Sequence, residues 1–219
     1  VVGGNVTRST GPLFVEVTAL GSVKRRRVLR RSAARPGDGL YLSGSIGGAA
    51  AGLAMLQDAA GGADVADAEL AACRERYLRP EPRVRLGRLL GRTRTARACV
   101  DLSDGLADAV GQLAVASGVG VAVDAAAVPL EPGARRWFEE RGRDPLEASL
   151  AGEDYELLFT APPRSGRRLA AVGRLARGVP LTRIGVITRE PGVVLRRPGA
   201  DTPLPGGYEH FRAAPSQDA

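Results

Sequence analysis

The stretch Ala98-Cys99-Val100-Asp101-Leu102-Ser103-Asp104-Gly105-Leu106-Ala107-Asp108 decides how the chain is read. Ala98, Val100 and Leu102 alternate with Cys99, Asp101 and Ser103, the period of a half-buried strand. After Ser103 the period changes: Leu106, Val110 and Leu113 fall at helical spacing, and Gly118 stands where a helix-ending glycine belongs. Ser103 or Asp104 is the expected N-cap, because a short side-chain oxygen there accepts from the free N–H groups of the first turn. Asp101 and Ser103 then share one strand face, with Asp104 at the mouth of the helix. Two carboxylates and a hydroxyl so grouped suit Mg²⁺, which takes one or two carboxylates together with phosphate oxygens. Taken alone, the stretch reads equally as an ordinary strand-to-helix turn with Asp-Gly punctuation.

Working outward, 219 residues suffice for one large domain or two small ones. An apolar content of 44% with 25% charged residues is that of a soluble globular chain. No run approaches the roughly 18 apolar residues of a membrane span, so no membrane partner is expected, and no signal peptide precedes the first motif. Cys73 and Cys99 are the only cysteines and suggest neither a disulfide framework nor a zinc site, which makes the reducing cytoplasm the expected location. His210 is the single histidine, which speaks against a histidine triad or metal cage. The net charge of +7 resides almost wholly in arginine, Lys24 being the one lysine, and aromatics reach only 4%. That leaves too few stacking platforms for single-strand nucleic-acid binding, and no nucleic-acid partner is expected. The run Lys24-Arg25-Arg26-Arg27, continuing to Arg30-Arg31, reads as a solvated loop before it reads as a phosphate site.

In chain order, Val1-Val2-Gly3-Gly4-Asn5-Val6-Thr7-Arg8-Ser9 is loop chemistry in which glycines permit close backbone approach and polar residues can bind an anion. Residues 13–20 alternate as a strand, with Leu13, Val15, Val17 and Ala19 on one face. A short strand over 40–43 runs through the glycine-rich turn Gly44-Ser45-Ile46-Gly47-Gly48 into a small-residue helix ended by Gly61-Gly62. That turn has the shape of a phosphate loop but neither of its required spacings, so close helix packing is the preferred reason for the glycines. Helices are expected near 66–77, 83–91, 133–141 and 164–176, and strands over 119–123, 181–187 and 193–196; Trp137 and Phe138 read as packing residues. Gly152-Glu153-Asp154-Tyr155-Glu156 places carboxylates at the entrance of the apolar strand 157–160. The irregular alternation of helices and strands points to α+β.

Several motifs occur together in one order. Gly3-Gly4-Asn5-Val6-Thr7-Arg8-Ser9 resembles the Gly-Gly-Asp-Thr-Thr-Arg-Ser loop of the thiamine-monophosphate kinase family, and Arg31-Ser32-Ala33-Ala34-Arg35-Pro36-Gly37-Asp38 is similar to its Arg-Ser-Gly-Ala-x-x-Gly-Asp segment. Arg79-Pro80-x-Pro82-Arg83, Asp101-x-Ser103-Asp104-Gly105-Leu106, Gly152-Glu153-Asp154-Tyr155-Glu156-Leu157 and Gly207-Tyr208-x-His210-Phe211 look like further signatures of that family. Each is weak alone; six in order move the central stretch toward function. The resemblance implies a two-domain α+β fold of the aminoimidazole-ribonucleotide synthetase-like superfamily, with a dimerising N-terminal domain. Here the N-terminal domain is expected to be largely missing, residues 1–33 being its remnant. Residues 34–212 would be the complete C-terminal domain and 213–219 a disordered tail.

The resemblance also implies ATP- and Mg²⁺-dependent phosphorylation of thiamine phosphate to thiamine diphosphate by in-line transfer, and a homodimer for the full-length protein. By position, Asp101 and Asp104 would be catalytic and hold Mg²⁺ together with Asn5. Gly4, Asn5, Arg31 and Ser103 would contact ATP, and Glu153, Asp154 and Tyr208 the thiamine phosphate. Asn5 stands where the family has aspartate, so one metal is expected to bind more weakly. Ala151 replaces a family glycine. The missing upstream stretch leaves a fragment expected to be impaired alone. Two alternatives stay open: another ATP-using enzyme of the superfamily (selenophosphate synthetase-like or hydrogenase-maturation-like), and a non-catalytic chain that binds nucleotide or a partner.

Overall fold

Residues 98–118 form the elements that their periodicity specifies, and the rest of the sheet is assembled on them. The computed structural model describes residues 2–6, 8, 10–58 and 67–205. Its strands are β1 (Gly39–Ser43), β2 (Cys99–Asp101), β3 (Gly120–Asp124), β4 (Leu157–Ala161), β5 (Leu181–Thr188), β6 (Gly192–Arg197) and β7 (Ala200–Pro203). The α-helices are α1 (Gly48–Gln57), α2 (Ala68–Leu78), α3 (Val84–Thr93), α4 (Leu106–Ser117), α5 (Pro132–Glu139), α6 (Pro145–Ser149) and α7 (Gly166–Leu175). The strands form one mixed sheet in the order β2-β4-β1-β5-β3-β6-β7. Only β3 and β6 pair in parallel; the other pairings are antiparallel among the described residues. This is an α+β chain, as the sequence implies.

Strand alternation divides the core in two. Leu40, Leu42, Val100, Leu158, Ile184 and Leu195 face α4, whose Leu106, Val110 and Leu113 fill that side. Each such side chain contributes about 1.5–3 kcal/mol relative to leaving it in water. Tyr41, Cys99, Leu157 and Phe159 point the other way, onto Leu86 and Leu90 of α3 and Leu169 and Val172 of α7. The Tyr41 and Phe159 rings stack across β1 and β4 with centroids 5.6 Å apart. A third cluster joins α1, α2 and α5 through Met55, Cys73, Ala134 and Phe138. There α1 crosses α2 so closely that a Cβ on Gly52 would lie 2.3 Å from the Cys73 carbonyl oxygen. Of the turn's own glycines, Gly47 and Gly48 are likewise closely packed, as the sequence reading preferred: an added Cβ would lie 2.3 Å from the Ser149 hydroxyl of α6 and 2.6 Å from Arg76 Cδ of α2. Gly44 instead abuts the Glu156 carboxylate. Phe138 is a core residue, and Trp137 packs beside it under the Arg141 guanidinium.

A buried ionic network ties this helical cluster to the sheet. The Glu156 carboxylate, fully buried just before β4, accepts from Arg83 Nε at 2.9 Å and Nη2 at 2.7 Å. Arg76 of α2 adds a bond from Nη2 at 3.1 Å, and the Ser43 hydroxyl at the end of β1 donates to the same group. Glu156 thus joins β1, β4, α2 and the start of α3 through charge-assisted bonds, which are stronger than neutral ones.

Three expectations are corrected. Residues 13–20 form no strand: Leu13, Phe14, Val17 and Leu20 are each more than four-fifths exposed, and no strand pairs with them among the described residues. Alternation specifies a strand only where a neighbour supplies hydrogen bonds and a layer covers the apolar face, and here neither is present. The N-cap of α4 is Gly105, not Ser103 or Asp104. Its φ of 92° carries the turn one residue further, and the Ser103 hydroxyl donates to Asp104 Oδ2 at 3.1 Å instead of capping the helix. Helix α1 ends at Gln57, before Gly61-Gly62, which lie outside the described residues. The short α6 and β7 had no distinct sequence signal. The expected closing of α4 at Gly118 holds, with that residue left-handed at φ 63°. Among the described residues no helix is long and apolar enough to cross a membrane.

Arg83→Ala leaves the buried Glu156 charge short of a partner and is expected to lower the unfolding free energy by about 3–5 kcal/mol in urea titration. Glu156→Gln in the same background should recover part of that loss; a single-variant loss below about 1 kcal/mol would mean that Arg76 suffices. Gly105→Ala meets backbone, since the added Cβ would lie 2.3 Å from the Leu150 carbonyl oxygen. With the positive-φ strain, a loss of about 2 kcal/mol or more is expected by the same measurement.

Candidate functional site

Two sequence motifs meet at the end of β2. Antiparallel pairing sets Asp101 opposite Leu157, and it continues past the strand end. The Leu102 N–H donates to the Glu156 carbonyl at 2.9 Å, and the Tyr155 N–H donates to the Leu102 carbonyl at 3.1 Å. The Asp-x-Ser-Asp turn is thereby laid against the Gly-Glu-Asp-Tyr-Glu entrance to β4. Behind it the Ala107 N–H donates to the Leu150 carbonyl at 3.2 Å, so the first turn of α4 is fastened to the same segment.

The entrance segment alternates in and out. Asp154 and Glu156 are buried, whereas Glu153 is exposed and Tyr155 half-buried. Tyr155 takes a left-handed backbone at φ 52°, unusual for an aromatic residue. Burial pushes its phenol up, followed in effect by the negative charges of Glu153, Asp101 and Asp104. Three carboxylates expected at ATP, metal or substrate thus share the surroundings of one phenol. Asp101 is exposed at the strand end, and Ser103 and Asp104 are half-buried beside it.

Asp154 has a different place. Its side chain is buried, and its two oxygens accept from the Gly47 N–H at 2.8 Å and the Ala49 N–H at 3.0 Å, with Arg76 Nε 3.7 Å away. Burial pushes this carboxyl up; the Ala49 and Gly47 N–H groups and Arg76 oppose that shift. The turn whose shape suggests a phosphate loop holds an anion at a helix N-terminus, and the anion is the chain's own Asp154.

The remaining expected residues are not gathered at this rim. Arg31 is exposed in a short 3-10 turn; its carbonyl accepts from the Ser117 hydroxyl at 2.8 Å, at the far end of α4 from Asp104. Twelve residues of helix make that separation about 18 Å along the axis. Gly4 and Asn5 are exposed, and no hydrogen bond joins them to the rim among the described residues. Tyr208 lies outside the described residues. Among the described residues no group of three or more His, Cys, Asp or Glu side chains is placed to hold a metal ion by itself. Sequence reasoning singled out neither Tyr155 nor the Arg76 and Arg83 that steady its neighbours. Arg83 was legible in the Arg-Pro-x-Pro-Arg motif, whereas Arg76 carried no signal beyond a helical stretch.

Comparison with known proteins bears on this geometry. Residues 35–197 match the family model described as AIR synthase related protein, C-terminal domain. A thiamine-monophosphate kinase of Escherichia coli K12 is 40% identical over 192 residues, 87% of this chain and 56% of the relative. The chain thus spans about half the length of the curated relatives it matches. The crystal structure of thiamine-monophosphate kinase from Stenotrophomonas maltophilia K279a superposes with a TM-score of 0.71 at 37% identity, covering 79% of this chain and 54% of that one. AaThiL complexed with AMPPCP and TMP gives a TM-score of 0.69 at 30% identity, covering 84% and 54%. The domain match extends over β1 to β6, α4 and both motifs of the rim: the chain belongs to the AIR synthase related family, and residues 35–197 match its C-terminal domain.

Proposed function

We propose that the chain is the part of a thiamine-monophosphate kinase that presents carboxylates to the phosphates, in a reaction converting thiamine phosphate and ATP to thiamine diphosphate and ADP. The observation that carries this reading is the pairing of Leu102 with Tyr155 and Glu156, which lays the segment bearing Asp101 and Asp104 against the segment bearing Glu153. Similarity to the Escherichia coli enzyme supports the reaction class, and the AMPPCP and TMP bound to AaThiL support the two substrates.

Phosphoryl transfer asks a protein mainly for positioning and charge neutralisation. The donor set at the rim fits Mg²⁺, a hard cation satisfied by one or two carboxylates plus phosphate and water oxygens. Asp101 and Asp104 would hold it, and Asn5 would add a neutral amide oxygen. When bound, Mg²⁺ offsets the charge of the phosphates and polarises the transferring group. The Ser103 hydroxyl and the Gly4 backbone contact the nucleotide in this reading. Arg31, beyond the far end of α4, takes a more distant part of the same ligand. Glu153 faces solvent at the rim and orients thiamine phosphate, with the Tyr208 ring stacked on it. Asp154 acts at one remove, by fixing the first turn of α1 and with it the entrance segment. A homodimer, a cytoplasmic location and the division of the chain at residues 33 and 34 belong to the same reading.

The test is ³¹P NMR of the chain with ATP, Mg²⁺ and thiamine phosphate. Thiamine diphosphate and ADP are expected to appear together, slowly, since the chain spans about half the length of its relatives. ADP and free phosphate alone would remove the thiamine phosphate assignment, and absence of both turnover and ligand-induced thermal stabilisation would overturn the reading. Asp101→Asn and Asp104→Asn should each slow product formation by about 10²–10³-fold, with the far-ultraviolet circular dichroism unchanged. Asn5→Asp restores a charged ligand and should tighten Mg²⁺ in calorimetric titration; unchanged affinity would remove Asn5 from the metal set.

A further inference from the structure

A cleft of about 330 Å³ lies between the segment 26–35 and the C-terminal end of α3, on the α3 face of the sheet. Arg26, Arg35, Arg94 and Arg97 surround it, and Val28, Leu29, Ala33, Gly91 and Ala96 complete its lining. We propose that this cleft binds a phosphate-type oxyanion, a diphosphate group on a small molecule, at a site separate from the Asp101 rim.

The walls are fixed by packing. A Cβ on Gly91 would lie 2.6 Å from the Arg27 carbonyl oxygen, so the segment is seated directly on α3. Leu29 packs against the core under α3 and α7, and the Cys99 N–H donates to the Arg30 carbonyl at 3.1 Å. The arginines therefore stand on separate anchored segments around one cleft.

Charge is the second observation. No acidic side chain lines the cleft. Asp38, buried beside it, is already engaged: Oδ1 accepts from Arg97 Nη1 at 3.0 Å and Oδ2 from the Arg35 N–H at 3.0 Å. Among the described residues no carboxylate pairs with the guanidinium of Arg26, Arg35 or Arg94. Arginines without an acidic partner occur elsewhere among the described residues, Arg167 and Arg168 for example; the cleft differs in gathering Arg26, Arg35 and Arg94 from separate segments, while other arginine pairs meet acids. Arg136 pairs with Asp67 and Glu69, and Arg197 with Asp144 and Glu147. The carbonyl end of α3 favours a cation and accounts for Arg94, its left-handed C-cap, but not for Arg26 and Arg35 from other segments. Like charges gathered over an apolar floor repel one another, and an oxyanion removes that repulsion. Guanidinium forks match phosphate oxygens two at a time, and the three without a carboxylate partner, Arg26, Arg35 and Arg94, suit two linked phosphates better than one. The volume is at the lower end of small-molecule sites.

The site is distinct from the rim in place. Ala96 and Arg97 lead into the start of β2, whereas Asp101 is its last residue; four extended residues separate Arg97 from Asp101 by about 13 Å. Arg31, assigned to the nucleotide in the kinase reading, lies in the same segment that walls the cleft, so comparing ATP with diphosphate is what tells the two sites apart.

Calorimetric titration of the full chain with inorganic diphosphate, in a chelator and without Mg²⁺ or thiamine phosphate, tests it. Orthophosphate, sulfate and ATP are run as parallel arms. Saturable diphosphate binding is expected, tighter than orthophosphate or sulfate and weakening as salt rises. Arg94→Gln and Arg26→Gln should each weaken it about tenfold, which is about 1.4 kcal/mol, while Arg136→Gln on another face leaves it unchanged. These side chains are exposed, and thermal melts of the variants confirm that each folds. Diphosphate binding indifferent to the cleft variants, or absent at millimolar concentration, would overturn the proposal. So would ATP binding sensitive to them with no diphosphate binding, which would give the arginines to the nucleotide site. Stronger binding of a single-stranded oligonucleotide than of diphosphate would overturn the small-molecule assignment.

Discussion

The buried carboxylate of Glu156 is the constraint from which the arrangement of the molecule follows. A charge taken out of water must be met by opposite charge and hydrogen bonds, or the fold loses several kcal/mol (about 3–5). Arg83, Arg76 and Ser43 meet it from three separate elements. Satisfying one group therefore fixes how α2 and the start of α3 sit against β1 and β4. Such a network specifies geometry more than it adds stability, because apolar packing could supply the same energy without the directional demand.

That directional demand reaches the candidate site through three residues of backbone. With Glu156 turned inward, strand alternation turns Tyr155 out and Asp154 in. Asp154 then meets the N–H groups of Gly47 and Ala49, which makes it an anchor for α1 rather than a surface acid. Tyr155 is left in a left-handed conformation beside Asp101, Asp104 and Glu153. Backbone strain of this kind persists only where the surroundings over-determine it, and here a buried acid on either side does so. Four consecutive residues thus divide between interior and surface: two hold the fold, Glu153 faces solvent and Tyr155 is half-buried beside it.

The sheet has a similar division of labour. The α4 face and the α3–α7 face are both packed, and the exposed Asp101 closes the edge strand β2. The start of the same strand leads from Ala96 and Arg97, which line the arginine cleft. Acidic and basic chemistry are separated along a single short strand. Screening by solvent over that distance lets each keep its own ionic character.

Much of this was legible in the sequence. The strand over 98–102, the helix behind it, the left-handed Gly118 and most of the later elements follow from period and punctuation, which are local properties of consecutive residues. Asp101 and Asp104 were legible as candidates because their motif brackets an element end, whereas Glu153 reads as part of a charged loop and only the family resemblance singles it out. Three things were not legible. Residues 13–20 carry a strand pattern with no strand beside them among the described residues, because pairing is a property of two segments and a pattern belongs to one. The cap of α4 fell on Gly105 because Leu150 and Ala151 approach from elsewhere in the chain and admit only glycine. Asp154 and Glu153, adjacent in one motif, differ in fate because one side chain meets helix N–H groups 107 positions away and the other meets water. The sequence by itself determined the elements and the acids at their ends; only the tertiary structure decided which acids are spent on the fold, because a carboxylate's role is set by what packing brings to it.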